Sequence, residues 1–249
     1  MAFVHLHVHT HYSILDGAAP IKRLFERAHQ DNQIALAITD HGNMFGVKEF
    51  LDTAAKYPGV KPIVGCEVYV AKGSRFDKRG KEDQGNYHLI LLAKNKEGYR
   101  NLVKLSSYAF IEGFYSKPRI DRELLERFGS DLICSSACLG GEVSQALLAG
   151  DYERAREAAS WYKSLFGDDY YLELQRHKTE FDGADQSTYD SQCLVNEGIL
   201  KIAQELDIKC IATNDVHFVC ADDREAHDRL ICLTTNADVD DPNRLRYTK

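Results

Sequence analysis

At 249 residues the chain can bury a sizeable core, and 44% hydrophobic with 28% charged residues describes a soluble globular protein. A formal net charge of −7 excludes a dedicated nucleic-acid-binding module with a basic face, so metal ions, a local basic loop or another domain would have to hold any nucleic acid. Seven scattered cysteines argue against a disulfide scaffold, and residues 1–20 lack a signal-peptide layout, so the expected location is cytoplasmic.

Phe3–His7 reads as a first strand, and Pro20 opens a helix over Ile21–His29 with Leu24, Phe25 and Ala28 on one face. Ile34–Thr39 is a continuous apolar run, as in a strand buried on both faces. Met44–Tyr57 returns to helical spacing and stops at Pro58-Gly59, and Lys61–Val70 is a third strand. Residues 72–86 form a loop in which Lys72, Arg75, Lys78, Arg79 and Lys81 sit among glycines and acids. Tyr87–Ala93 is a strand, Lys96–Ile111 a helix, Ser116-Lys117-Pro118 a turn and Arg122–Arg127 a short helix. Strands follow at Leu132–Ser135, Tyr170–Leu174 and Lys209–Thr213, with helices at Glu142–Leu148, Tyr152–Phe166, Tyr189–Leu206 and Arg224–Cys232. Asp240-Asp241-Pro242-Asn243 opens an irregular tail. Seven strands alternating with helices predict an α/β fold with a mostly parallel sheet closed into a barrel.

The chemistry begins at His5-Leu6-His7-Val8-His9-Thr10-His11, four histidines at alternate positions. Residues two apart on an extended strand share a face, so His7 and His9 can present two imidazoles to one metal. The competing reading is the wet face of an edge strand, for which imidazoles are a poor choice. Further ligand-capable residues fall in or just after the other strands: Asp16, Asp40, His41, Glu67, His88, Cys138, Asp215 and His217. Each alone has a bland reading: an edge charge for Glu67, a small buried hydrophobe for Cys138, a core histidine for His88. Their recurrence at strand ends, where barrel enzymes build their sites, points to metal binding.

Imidazoles, carboxylates and one thiol suit zinc, manganese or iron and would not select calcium. The donors are too many for one tetrahedral ion, so two or three ions with a bridging carboxylate are expected, Glu67 being the natural bridge. Such centres hydrolyse phosphate esters.

Several segments resemble the PHP (polymerase and histidinol phosphatase) family of metal-dependent phosphoesterases. They are Phe3–Gly17 (FVHLHVHTHYSILDG), Ala35–Phe50 (ALAITDHGNMFGVKEF), Lys61–Val70 (KPIVGCEVYV), His88–Ser106 (HLILLAKNKEGYRNLVKLS) and Ile211–Phe218 (IATNDVHF). Glu112–Leu124 (EGFYSKPRIDREL) and the tail Asp240–Tyr247 (DDPNRLRY) narrow the resemblance to the branch found at the front of bacterial replicative polymerase alpha subunits. The resemblance implies a distorted seven-stranded (β/α) barrel with up to three metals at its mouth. By residue, it implies His7, His9, Glu67 and Asp215 for the first metal, Glu67, His88 and Cys138 for the second, and Asp16, His41 and His217 for the third. Glu67, Asp215 and His217 would be catalytic, with His5 and Asp40 orienting the ligands. Residues 1–235 would be the phosphoesterase domain, and 236–249 a tail leading toward a polymerase domain.

Two functions then compete. One is 3′→5′ exonuclease or phosphoesterase activity on a single-stranded DNA 3′ end, with Lys72, Arg75, Lys78 and Arg79 as possible guides. The other is a metal-braced scaffold for the polymerase and its proofreading subunit. A free-standing phosphatase acting on a small phosphomonoester is a third reading, opposed by the polymerase-type segments.

Overall fold

The structure, a computed structural model, describes residues 3–178, 186–241 and 244. Its frame is a curled sheet of β1 (Ala35–Ile38), β2 (Lys61–Ala71), β3 (Asn86–Ala93), β5 (Leu132–Ser135), β6 (Tyr170–Leu174) and β7 (Lys209–Ala212), in that order. A two-residue strand, β4 (Arg119–Ile120), pairs with β2 off this path. The helices are α1 (Ile21–Gln30), α2 (Val47–Ala54), α3 (Lys96–Ile111), α4 (Arg122–Phe128), α5 (Glu142–Leu148), α6 (Tyr152–Phe166), α7 (Ser187–Leu206) and α8 (Arg224–Thr235). Asn95 caps α3 by accepting from the Glu97 and Gly98 amides, and Asp121 caps α4 by accepting from Leu124.

One expectation needs correction. Phe3–His7 is extended, but it forms isolated bridges in place of a regular strand: His5 to Leu36 on one side and Val8 to Val216 on the other. The Ala37 and Thr39 amides donate to His5 O and Val8 O, and the His9 amide donates to Val216 O at 2.7 Å. The segment thus spans the two edges of the sheet and closes the ring with few bonds on each side. The sheet is mostly parallel, as expected, with one reversed strand. β3 runs antiparallel to both β2 and β5, because β2 and β3 form a hairpin joined by residues 72–85. A strand running the other way has its first residues at the mouth.

Strand alternation sorts the side chains into layers. Cys66, Val68, Val70, Leu89, Leu91, Cys134 and Leu172 face outward into the main core, under the helices from α3 to α7. A second cluster joins Leu36 and Ile38 to Ile21, Phe25, Val47 and Phe50 of α1 and α2. The inward parity carries Ala37, Ile90, Leu92, Ile63 and Ile133 as an apolar plug, capped by Glu67, His88, Ser135 and Glu173. The polar layer at the mouth therefore lies on an apolar floor. Among the described residues, no helix is long and apolar enough to cross a membrane.

Candidate metal centre

His7, His9 and Glu67 are completely buried, and every one of the nine expected ligands reaches the mouth. Closure of the ring by residues 5–9 brings His7 and His9 beside Val216, and hence beside Asp215 and His217. Asp215 takes a left-handed backbone, φ 47°, which Asp tolerates better than most side-chain-bearing residues. Its Oδ1 lies 3.1 Å from both His7 Nε2 and His9 Nε2. Those two nitrogens are 3.1 Å apart, and Glu67 Oε2 stands 2.5 Å from one and 3.2 Å from the other.

Four donors about 2.0–2.1 Å from one tetrahedral ion are about 3.3 Å from each other, so these spacings fit a single small cation. His41, Glu67 and His88 form a second convergent set, and His9, His41 and His217 a third. Buried Glu67 Oε1, His41 Nδ1 and Asp215 Oδ1 make no properly directed hydrogen bond, although each faces other donor atoms. Buried polar atoms almost always find partners, so unsatisfied lone pairs aimed at shared points fit metal ligation.

The tight groups differ in part from the expected ligand sets. The first is the same four residues. In the second, His41 joins Glu67 and His88, while Cys138 Sγ stands at the edge, 3.7 Å from His88 Nδ1. In the third, His9 joins His41 and His217, with Asp16 Oδ2 3.1 Å from His41 Nε2 and 3.8 Å from His217 Nε2. His88 arrives because β3 is reversed. Gly140 lets the Cys138 loop close over it, since a Cβ there would sit 2.9 Å from His88 Nδ1.

Electrostatics couple the cluster. Burial lowers the basicity of His41, but Glu67 and Asp16 outweigh it and raise its pKa to about 10. His7 behaves likewise: burial lowers it, and Asp215, Glu173 and Glu67 drive it well above its ordinary value. Burial alone would raise Glu67, yet His88, His41 and His7 hold it well below the usual carboxylate range. Asp215 is held down by His7, His217 and His9 against the same burial effect. His217 falls to about 3 through burial and the neighbouring His9. Burial, Asp215 and Glu67 push the Cys138 thiol up. Without metal, protons on His7 and His41 do part of the work that cations would do.

A supporting shell orients the imidazoles. His7 Nδ1–H donates to Glu173 Oε2 at 3.0 Å, which turns the Nε2 lone pair toward Glu67 and Asp215. Glu173 also accepts from Ser135 Oγ and Thr213 Oγ1, both at 2.5 Å. His9 Nδ1–H donates to Ser13 Oγ at 3.1 Å, and Ser13 donates to Asp40 at 2.8 Å. The Thr10 amide and hydroxyl pin the same Asp40 carboxylate. Asp40 therefore acts on His9 through Ser13. His227 on α8 is buried and holds the Asp16 carbonyl at 2.8 Å. Glu173 was missed altogether; its signal was an acid inside the otherwise apolar strand Tyr170–Leu174, the same signal that marks Glu67.

Other expected residues lie elsewhere. His5 packs edge-on against Phe3 and lines a separate groove with Leu24, Arg27 and Gln33, so it does not orient the ligands. Bridging Leu36 turns it toward α1. The arginines of the basic loop are paired with acids. Arg75 is buried and pairs with Glu112, Asp121 and Glu123, Lys78 donates to Glu112 O, and Arg79 pairs with Asp83. Lys72 lies over the Tyr87 ring. Arg75 in particular is removed from substrate contact by its burial.

Comparison with known proteins agrees with this geometry. The PHP domain sequence profile matches residues 5–177. The chain belongs to the PHP domain family. This PHP domain is 46% identical over 246 residues to DNA polymerase III subunit alpha of Borreliella burgdorferi, covering 98% of the chain and 20% of that protein. It is 47% identical over 250 residues to the Treponema pallidum subunit, covering 99% of the chain and 20% of that protein. The PHP domain thus spans about a fifth of the length of the curated relatives it matches. Among solved structures, it is similar to a metal-free amidohydrolase from Chromobacterium violaceum with bound sulfate (TM-score 0.48, 14% identity, 86% and 87% coverage). It is also similar to a histidinol phosphate phosphatase from Lactococcus lactis complexed with zinc, L-histidinol and phosphate (TM-score 0.43, 14% identity, 94% of each chain).

Proposed function

We propose that this domain hydrolyses phosphodiesters at the 3′ end of single-stranded DNA, as the front part of a replicative polymerase alpha subunit. The observation that carries the reading is the overlap of three donor groups on Glu67, His9 and His41. His7, His9, Glu67 and Asp215 would hold one cation, Glu67 and His88 a second with His41 and Cys138 beside it, and His41 and His217 a third with His9 and Asp16 beside it. Divalent zinc, manganese or iron bound there supplies Lewis acidity toward phosphoryl oxygens and lowers the pKa of water. Glu67, shared by the first two groups, holds those two in register. Asp215 is the one acid of the first group with exposed surface, which lets it face a substrate while its neighbours keep it ionised. His217, its basicity depressed by burial and by His9, is neutral at pH 7 as a metal ligand must be.

The assay is release of mononucleotides from single-stranded DNA with added manganese or zinc. Glu67→Ala and His9→Ala abolish it while a circular-dichroism spectrum stays native. Hydrolysis confined to small phosphomonoesters would instead assign a metabolite phosphatase.

The pairing of the loop arginines Arg75 and Arg79 with acids favours a second reading, a metal-braced scaffold for the polymerase and a proofreading subunit. That reading requires a metal-loaded, stable and inert domain. We assign residues 1–235 to the phosphoesterase unit and 236–249 to the lead toward the polymerase.

A further inference from the structure

Beyond Asp16 and His41 the mouth continues into a cavity of about 210 Å³, walled by Tyr12, Tyr69, Phe110, Lys117 and Pro118. The Lys117 ammonium stands 5.2 Å from the centre of the Tyr69 ring. That ring in turn stacks on His41, 5.9 Å away and 15° from parallel. Among the described residues, no carboxylate lies within ion-pair distance of Lys117, whereas Arg75 and Arg79 of the neighbouring loop pair with acids and Lys78 donates to a carbonyl. Ser116, just before it, is held at φ +64°, a conformation that a side-chain-bearing residue takes only when its surroundings impose it. Behind the cavity, Phe110, Phe114 and Phe45 are 39%, 50% and 60% exposed. Phe110 is 6.3 Å from Phe114 with rings 18° apart, and 6.0 Å from Phe45.

We propose that this wall is the track for the last nucleotides of a single strand. Lys117 binds the phosphodiester next to the one being cut, and Phe110 and Phe114 stack the bases behind it. The proposal rests on the hydrolytic reading above and names how that substrate is held. Single-strand sites combine a cation that follows the backbone with exposed rings that accept any base. Both are here, and the row of rings ends at the cavity that opens on the cluster. A protein partner would account for the exposed rings but not for an uncompensated cation inside that cavity.

The test is fluorescence anisotropy of a 5′-labelled oligothymidylate bearing phosphorothioate linkages at its 3′ end. It is titrated with the whole chain in manganese over a range of salt concentrations. Lys117→Ala weakens binding several-fold, and the plot of log affinity against log salt becomes shallower by about 0.7, the value for one lost single-strand phosphate contact. Phe110→Ala combined with Phe114→Ala weakens binding by about fivefold or more at unchanged salt slope, and Phe110→Trp retains it. An unchanged slope in Lys117→Ala overturns the phosphate contact. Wild-type affinity in the double phenylalanine variant overturns the stacking track and assigns those rings to a protein contact. A chain that binds through these residues yet releases no nucleotide leaves the track standing and sinks only the proposed reaction.

Discussion

At the scale of single residues, the centre depends on lone pairs being aimed as much as on ligands being present. His7 can offer Nε2 only while Nδ1–H is engaged, and buried Glu173 is the group that engages it. Glu173→Gln keeps the shape but turns a charged acceptor into a neutral amide. It is expected to lower metal affinity or activity by about 10–100-fold, the usual cost of losing an outer-sphere partner. Isothermal titration with zinc measures this, and unchanged affinity would show that His7 needs no orientation. Much of this scale was legible in the chain: HxHxH, TDHG and an acid inside an apolar strand mark donors by type and spacing. Glu173 was overlooked because nothing in the sequence says that strands β2 and β6 point their acids into the same layer. His5 shows the converse. It shares the alternation of His7 and His9, yet its position against Leu36 sends it toward α1.

At the scale of elements, the polymerase-type segment Glu112–Leu124 (EGFYSKPRIDREL) works as a clamp on the β2–β3 hairpin. Arg119, almost wholly buried, donates to the carbonyls of Arg75, Asp77, Asp83 and Gly113. Arg75 meets Asp121, Glu112 and Glu123 from the other side. Removing one member of a buried pair strands the other charge, so Arg75→Ala is expected to cost about 3 kcal/mol or more. Arg79→Ala, at an exposed pair that solvent screens, should leave stability nearly unchanged. Urea denaturation separates the two, and equal effects would deny the clamp. The same residues had suggested a guide for a nucleic-acid strand, because a run of basic side chains carries no record of the acids that fold onto it. Two of those acids lie more than forty positions away in the chain.

At the scale of the whole molecule, donors from residue 7 to residue 217 are brought together only when the ring closes, so metal binding and folding are one equilibrium. Loaded to a hundredfold above its dissociation constant, one cation adds about 2.7 kcal/mol, or about 5–10 °C in melting temperature for a chain this long. Chelation removes the increment, and Glu67→Ala never shows it. The increment also depends on pH. His41 is raised from 6.5 to about 10, so its proton stabilises the metal-free fold fully below pH 6.5, and this contribution fades as pH rises through about 10. A cation competes with that proton, so the metal-dependent rise in melting temperature should grow between pH 6.5 and 9. A rise independent of pH would show that His41 does not exchange a proton for metal.

The sequence by itself determined the donor types, the alternation of strands and helices and the family, because these are properties of residue identity and local periodicity. It could not determine which way β3 runs, since an apolar strand reads alike in either direction, and that reversal is what delivers His88 to Glu67. Nor could it tell a paired cation from an uncompensated one: Arg75 and Lys117 look alike in the chain. Only tertiary packing buries the first among acids and leaves the second over a tyrosine ring at the mouth.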